Sequence, residues 1–162
     1  MIYYVNTIDG YKQAITYLKD MAIMGIDTET TGIDPYQSRI LLLQMGDTTH
    51  QYVFDVFLLQ ELGIDFSEIK SLLECPDIVK VGHNIGFDYK MLKVNLNIEL
   101  ENIFDTMIAE YLLTKGAKLS GFGLADVLGK YGIDENMTKE IRTSFITHLP
   151  GTDFITEQIQ YA

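Results

Sequence analysis

The chain has 162 residues, the length of one ordinary domain, and 47% of them are hydrophobic, which is enough for a packed core. Its 12 basic and 23 acidic residues give a formal net charge of −11, which excludes binding to nucleic acid through a general positive surface. No apolar run approaches the roughly 18 residues that a membrane-spanning helix needs. The single cysteine, Cys75, excludes an internal disulfide and favours a reducing compartment.

Strand patterns come first in the chain and then alternate with helical patterns, which predicts one α/β domain over residues 1–162 with a mixed sheet. In chain order the predicted elements are a strand at Met1–Val5, a helix at Asp9–Asp20, strands at Ala22–Thr28, Ile40–Gly46 and Gln51–Phe57, a helix at Asp65–Glu74, a strand at Ile78–Gly82, a helix at Phe87–Asn95, a strand at Glu101–Phe104, and helices at Thr106–Leu113, at Leu124–Tyr131, near Thr138–Ile146 and from about Ile155. Asp34-Pro35 predicts a turn after the second of these strands.

The first chemical signal is an Asp-x-Glu pair at the end of a predicted apolar strand. Side chains alternate along a strand, so Asp27 and Glu29 point to the same face. Two buried carboxylates repel each other, and a bound divalent cation removes that cost. Taken alone, the pair is better explained as a strand end with acidic residues beside a turn, but its position just before Gly32 would let a substrate approach.

The second signal lies where the strand Ile78–Gly82 gives way to a helix. His83 and Asn84 end the strand, Phe87 begins the helix, and Asp88 falls in the first helical turn. Helix capping by Asn84, a favourable interaction of Asp88 with the helix dipole, and a core-edge hydrogen bond of His83 are the structural alternatives. If both signals meet at one sheet edge, three carboxylates converge, and oxygen-only ligands suit Mg²⁺ or Mn²⁺.

These residues resemble the motifs of a known enzyme family. Asp27-x-Glu29 resembles the first motif of the DEDD 3′→5′ exonucleases, and Asn84-x-x-Phe87-Asp88 resembles the second. The resemblance is strongest to the proofreading domains of family A DNA polymerases, of the tyrosine subclass, and covers roughly residues 22–162. It also rests on the segments Phe104-Asp105-Thr106, Glu110-Tyr111-Leu112-Leu113, Lys139-Glu140-Ile141-Arg142-Thr143-Ser144 and Gln158-Ile159-Gln160-Tyr161-Ala162. It implies an α/β, ribonuclease-H-like fold with a mixed five-stranded sheet flanked by helices.

The resemblance also implies a mechanism and a set of site residues. The implied catalytic residues are Asp27, Glu29, Asp88 and Tyr161, and the first three would hold two divalent cations, Mg²⁺ or Mn²⁺. The implied substrate-binding residues are Thr30, Ile33, His83, Asn84 and Phe87. Asp105 is expected to end a strand and cap the next helix rather than to act in catalysis.

The sequence offers two alternatives for the third motif. In the tyrosine subclass a fourth carboxylate follows the tyrosine by four residues, whereas this sequence ends at Ala162, so we expect a domain truncated within that motif. His148 and Asp153 have the spacing of the rival histidine subclass. Pro150-Gly151 lies between them and would break the helix that this subclass needs, so a continuous helix over 148–153 would favour the histidine interpretation.

The implied function is removal of nucleoside 5′-monophosphates from single-stranded or frayed DNA 3′ ends. The alternatives are an RNase D-like enzyme that trims RNA 3′ ends and an inactive fragment that acts as an interaction module. The expected partners are a single-stranded DNA 3′ end and a polymerase module that follows this domain. A monomer without membrane contact is expected, in the cytoplasm of a bacterium or a phage-infected cell. The expected phosphate contacts are Lys90, Lys93, Lys115 and Lys118.

Overall fold

The computed structural model describes residues 1–115, 121–133 and 139–162. In chain order the elements are β1 (Ile2–Val5), α1 (Ile8–Leu18), β2 (Ile23–Thr30), β3 (Ile40–Gly46), β4 (Gln51–Asp55), α2 (Val56–Glu61), α3 (Ser67–Leu73), β5 (Val79–Gly82), α4 (Gly86–Leu96), β6 (Ile103–Asp105), α5 (Thr106–Leu113), α6 (Leu124–Lys130), α7 (Lys139–Ser144), a 3₁₀ turn (Phe145–Thr147) and α8 (Thr156–Tyr161).

The strands form one mixed sheet in the order β1-β4-β3-β2-β5-β6. The central strands β2, β3 and β4 pair antiparallel, while β1 joins β4, β5 joins β2 and β6 joins β5 in parallel. The α/β fold with a mixed sheet is confirmed. The sheet has six strands rather than the expected five, because the short strands β1 and β6 both pair at its edges.

Helices cover one face of the sheet, where most of the core lies. Met24 and Ile26 of β2 are buried there against side chains of α1, α3 and α4. On the opposite face, Leu42 and Val53 are buried beneath Phe145 of the 3₁₀ turn. The second face therefore carries the smaller apolar cluster, and β2 presents Asp27 and Glu29 on this same side.

The predicted strand Gln51–Phe57 is too long by two residues. β4 ends at Asp55, whose carboxylate accepts a hydrogen bond of 2.9 Å from the backbone nitrogen of Leu58. This side-chain cap starts α2, a helix that the sequence pattern did not predict. The start of the helix predicted near Thr138–Ile146 lies outside the described residues, within which α7 begins at Lys139.

A short, hydrogen-bonded loop connects β2 to β3. The backbone nitrogen of Thr31 donates to the carbonyl of Arg39 at 3.0 Å, and that of Ser38 donates to the carbonyl of Asp34 at 2.8 Å. The turn predicted at Asp34-Pro35 is confirmed, and it holds residues 31–39 beside the end of β2. Within the described ranges, none of the helices has the length and apolar composition to cross a membrane.

Candidate active site

Asp27 and Glu29 occupy the last part of β2 and share one face of the sheet. Their register partners on β3 are Gln44 and Leu42, and the register shifts between Glu29 and Thr30, where the strand becomes irregular. The period-two prediction therefore agrees with the observed strand. The two carboxylates stand at the point where regular pairing ends and the loop to β3 begins.

Asp88 reaches the same strand end from the first turn of α4. Its side chain is almost completely buried, with 2% of the residue exposed. The hydroxyl of Thr28, which lies between Asp27 and Glu29 on β2, donates a hydrogen bond of 2.6 Å to Oδ1 of Asp88. This bond joins a helix to a strand 60 residues earlier in the chain, so the third carboxylate is brought to the first two by tertiary packing.

Asp105 fixes the turn from which α4 starts. Its carboxylate accepts hydrogen bonds from the backbone nitrogens of Asn84 and Ile85, both at 3.1 Å. It also caps α5 by accepting from the backbone nitrogens of Met107 and Ile108. Asp105 is therefore a structural cap, as the sequence indicated, whereas Asn84 has a left-handed backbone, with φ of 58°, and does not cap α4.

The electrostatics show that the three carboxyl groups influence one another. Burial raises the pKa of Asp27, and burial together with the charge of Asp27 raises the pKa of Asp88. Burial and then the charge of Asp27 raise the pKa of Glu29 to about 8. Asp27 is exposed and Glu29 is half-buried, whereas Asp88 is buried. Asp27, Glu29 and Asp88 thus form one cluster that resists carrying three negative charges.

Two further features of this cluster escaped the sequence analysis. The charge of Arg142, on α7, lowers the pKa values of Asp27 and Glu29 and so opposes part of the effect of burial. An interaction with the side chain of Asp88 likewise lowers the pKa of Asp27. Among the described residues, no three Asp, Glu, His or Cys side chains are already arranged as a metal site.

Tyr161 lies on the carboxylate side of the sheet. It is half-buried at the end of α8, and its ring centre is 6.0 Å from that of Phe145. Phe145 in turn packs on Leu42, the register partner of Glu29. The structure therefore brings the helix that carries Tyr161 to the face that carries Asp27 and Glu29.

The rival third motif does not form a helix. His148 follows the 3₁₀ turn with extended backbone, and its ring stacks on Phe154 with centres 4.0 Å apart. Gly151 has φ of +84°, and a Cβ at this position would lie 2.8 Å from a ring carbon of Phe57. The segment 148–153 is thus a tight turn, and this conformation favours the tyrosine interpretation over the pair His148 and Asp153.

The predicted substrate-binding residues divide into two groups. Ile33, Asn84 and Phe87 line one cleft of about 350 Å³, and the side chain of Ile33 projects into solvent with 87% of the residue exposed. Thr30 instead donates its hydroxyl hydrogen to the carbonyl of Gly32 at 2.7 Å. The ring nitrogens of His83 lie 3.0 Å from the Thr106 hydroxyl and 2.9 Å from the Phe122 carbonyl, so His83 is used within the fold.

The structure adds a second cleft, of about 360 Å³, that no sequence motif indicated. It shares the loop 31–39 and helix α4 with the first cleft. Its lining residues are Arg39, Ile40, Val56, Phe57, Gln60, Asn95, Leu96 and Pro150. The side chain of Asn95 joins the two clefts, since it contacts the backbone nitrogen of Ile40 and the carbonyl of Pro35, both at 3.4 Å.

The four lysines expected to contact phosphate have different surroundings. Lys90 lines the first cleft and makes no ion pair within the described part of the chain. Lys93 pairs with Glu99, which makes it a poor candidate. Lys115 is exposed, and Lys118 lies outside the described residues.

Comparisons with known proteins identify the family of this chain. Residues 2–162 match the family described as 3′-5′ exonuclease. The chain is 36% identical over 133 residues to DNA polymerase I of Aquifex aeolicus, an alignment that covers 82% of this chain and 21% of the polymerase. The chain thus spans about a fifth of the length of this relative.

Solved structures give the same fold. The chain superposes on Escherichia coli RNase D, an exoribonuclease involved in structured RNA processing, with a TM-score of 0.78 and 22% identity over 99% of this chain and 40% of RNase D. Brucella melitensis NrnC with bound Mg²⁺ superposes with a TM-score of 0.68 and 18% identity over 99% of this chain and 70% of NrnC. With its motifs, its fold and its matched residues in agreement, the chain belongs to the 3′-5′ exonuclease family.

Proposed function

We propose that this chain is a metal-dependent 3′-5′ exonuclease that removes nucleoside 5′-monophosphates from single-stranded or frayed DNA ends. The observation that carries the proposal is the convergence of Asp27, Glu29 and Asp88 at one end of β2. A cluster of carboxyl groups whose pKa values are raised by burial and neighbouring charge is costly for a fold unless a cation uses it.

The donor set fits divalent cations with oxygen ligands. Asp27, Glu29 and Asp88 supply only carboxylate oxygens, which suit Mg²⁺ or Mn²⁺ rather than Zn²⁺. These residues would hold two such ions. When bound, the pair would supply Lewis acidity for attack by water and for departure of the 3′ oxygen.

The reaction that these residues would serve is hydrolysis of the terminal phosphodiester. The oxygen of a water molecule bonds to the phosphorus, the bond from phosphorus to the 3′ oxygen of the preceding nucleotide breaks, and that oxygen takes up a proton. Tyr161 would orient the water from the carboxylate face of the sheet. Ile33 and Phe87, which line the same cleft, would contact the bases without reading their sequence.

The two clefts explain how so acidic a chain could bind nucleic acid. Each cleft has one basic side chain among its described lining residues, Lys90 in the first and Arg39 in the second. Neither cleft has an acidic lining residue among them. A chain with a net charge of −11 thus leaves these two depressions free of negative side chains. We place the substrate strand along both clefts, with its phosphates toward Lys90 and Arg39.

DNA is the preferred substrate in this proposal, because the 36% identical relative is a DNA polymerase. A polymerase module elsewhere in the same protein would then be its partner. Trimming of RNA 3′ ends is the second candidate, and it is favoured by the superposition on RNase D. The difference between the substrates is the 2′-hydroxyl, which a pocket wall either accepts or rejects.

The test is a comparison of 5′-labelled single-stranded DNA and RNA of equal length with Mn²⁺ or Mg²⁺. We expect DNA to be shortened from its 3′ end one nucleotide at a time, and D27A to abolish this shortening. Faster cleavage of RNA would establish the second candidate instead. If neither polymer is shortened, the chain is a binding or interaction module, and the proposal is wrong.

A further inference from the structure

Gln44 is a buried amide that the fold leaves without hydrogen bonds. Only 7% of the residue is exposed, and among the described residues neither Nε2 nor Oε1 has a hydrogen-bond partner. An unpaired buried polar group costs about 1–3 kcal/mol, whereas an apolar side chain of similar shape would not carry this cost. A buried polar group of this kind calls for an explanation beyond packing.

A second buried glutamine shows the ordinary arrangement. Gln158 donates from Nε2 to the hydroxyl of Ser144 at 2.9 Å and accepts at Oε1 from the backbone nitrogen of Ile155 at 3.2 Å. Its amide is therefore satisfied at both ends and anchors α8. Gln44 is also buried, but among the described residues its amide has no such partners.

The position of Gln44 in the sheet places its amide beside the carboxylate of Asp27. The register of the central strands sets Gln44 opposite Asp27 on one side and opposite Val53 on the other. Val53 belongs to the apolar cluster under Phe145. Gln44 thus stands at the boundary between that cluster and the carboxylate site. Directly paired residues on one face have Cβ atoms roughly 4.5–5.5 Å apart, so the amide of Gln44 can reach the carboxylate of Asp27.

We infer that Gln44 is a positioning residue that donates a hydrogen bond from Nε2 to the Asp27 carboxylate when the site holds divalent cations. The inference rests on the proposed function. In the present arrangement neither Nε2 nor Oε1 of Gln44 bonds Asp27 or any other described residue. With cations held by Asp27, Glu29 and Asp88, Gln44 would supply the donor that keeps the Asp27 carboxylate in a ligating orientation.

The expected magnitude follows from the general behaviour of residues behind metal ligands. A partner that orients a ligand typically changes metal affinity or activity by about 10–100-fold when it is removed. At the same time, removal of an unpaired buried amide stabilises the cation-free fold. Gln44→Met keeps the length of the side chain. It should therefore raise the stability of the cation-free fold and lower its affinity for the metal.

The experiment compares the whole chain with Q44M by thermal melting, first in EDTA and then over a Mn²⁺ titration. We expect Q44M to melt at a higher temperature than the native chain in EDTA, and to need at least about 10-fold more Mn²⁺ for half of its maximal stabilisation. Oligonucleotide cleavage should show a lower kcat with little change in KM. Leu42→Met is the matched control, since it alters packing on the same face without removing an amide.

The outcomes are distinct. A Mn²⁺ midpoint for Q44M within twofold of the native value would overturn the inference, whether the variant melts higher or lower in EDTA. A lower melting temperature in EDTA with an unchanged midpoint would assign Gln44 to a structural partner such as an internal water. If the native chain itself does not respond to Mn²⁺, the proposed metal-dependent function fails first, and with it the inference.

Discussion

The hydroxyl of Thr28 donates a hydrogen bond of 2.6 Å to the carboxylate of Asp88, and this contact links α4 to β2 inside the candidate site. Thr28 is itself buried, and its side chain points to the face opposite to those of Asp27 and Glu29. The bond therefore holds Asp88 against β2 through the face opposite to the one that carries Asp27 and Glu29. It sets the distance of Asp88 from Asp27 without occupying the face that would meet the substrate.

We expect Thr28→Val to lower both stability and activity. Valine has the shape of threonine but lacks the donor, and a buried hydrogen bond to a charged group contributes about 1.5–3 kcal/mol. Thermal melting and kcat measure the two effects. Thr16→Val is the control, because the Thr16 hydroxyl bonds a helix carbonyl on the exposed side of α1. A T28V protein with native activity would contradict a positioning role for this bond.

The cation-free protein should lose stability as the pH rises from about 5 to 8. The folded pKa of Glu29 is raised to about 8, above the roughly 4.3 of an unfolded glutamate. Between these values the folded state binds more protons than the unfolded state, so the free energy of unfolding falls with pH. Melting temperatures in EDTA measure this trend. Asp27→Asn should flatten it, since it removes the charge that acts on Glu29 and Asp88, and Mn²⁺ should reverse it in the native chain.

Asp105→Ala should destabilise the fold without removing a metal ligand. It deprives four backbone nitrogens of their acceptor, those of Asn84, Ile85, Met107 and Ile108. The loss of a helix cap and of the turn before α4 should cost about 2 kcal/mol or more. Denaturant unfolding measures this cost, and Asp9→Ala, which alters an exposed first-turn acid of α1, is the control. An unchanged free energy of unfolding would show that the cap is dispensable.

Lys90→Gln and Arg39→Gln should each weaken oligonucleotide binding and its dependence on salt. Each phosphate contact that is lost should reduce the slope of log K against log salt by roughly 0.7 for a single strand. Fluorescence anisotropy of a labelled oligonucleotide measures both quantities. Lys12→Gln makes the same charge change on the exposed side of α1. Equal slopes for all three variants would rule out a strand path through the two clefts.

The sequence was sufficient for the features that depend on neighbouring residues. Strand alternation placed Asp27 and Glu29 on one face, and the helix-start pattern identified Asp105 as a cap. The Pro-Gly break between His148 and Asp153 correctly predicted a turn there. The failure to predict α2 also has a local explanation. Asp55 is both the last residue of β4 and the N-cap of α2, so no loop separates the two elements.

Only the tertiary structure decided the features that depend on register and long-range packing. The approach of Asp88 to β2, the use of His83 within the fold and the second cleft all require contacts between segments far apart in the chain. The unpaired amide of Gln44 opposite Asp27 is visible only once the register of β3 on β2 is known. A shift of one residue would turn every side chain of a strand to the other face, so pairing, rather than composition, determined what surrounds the carboxylates.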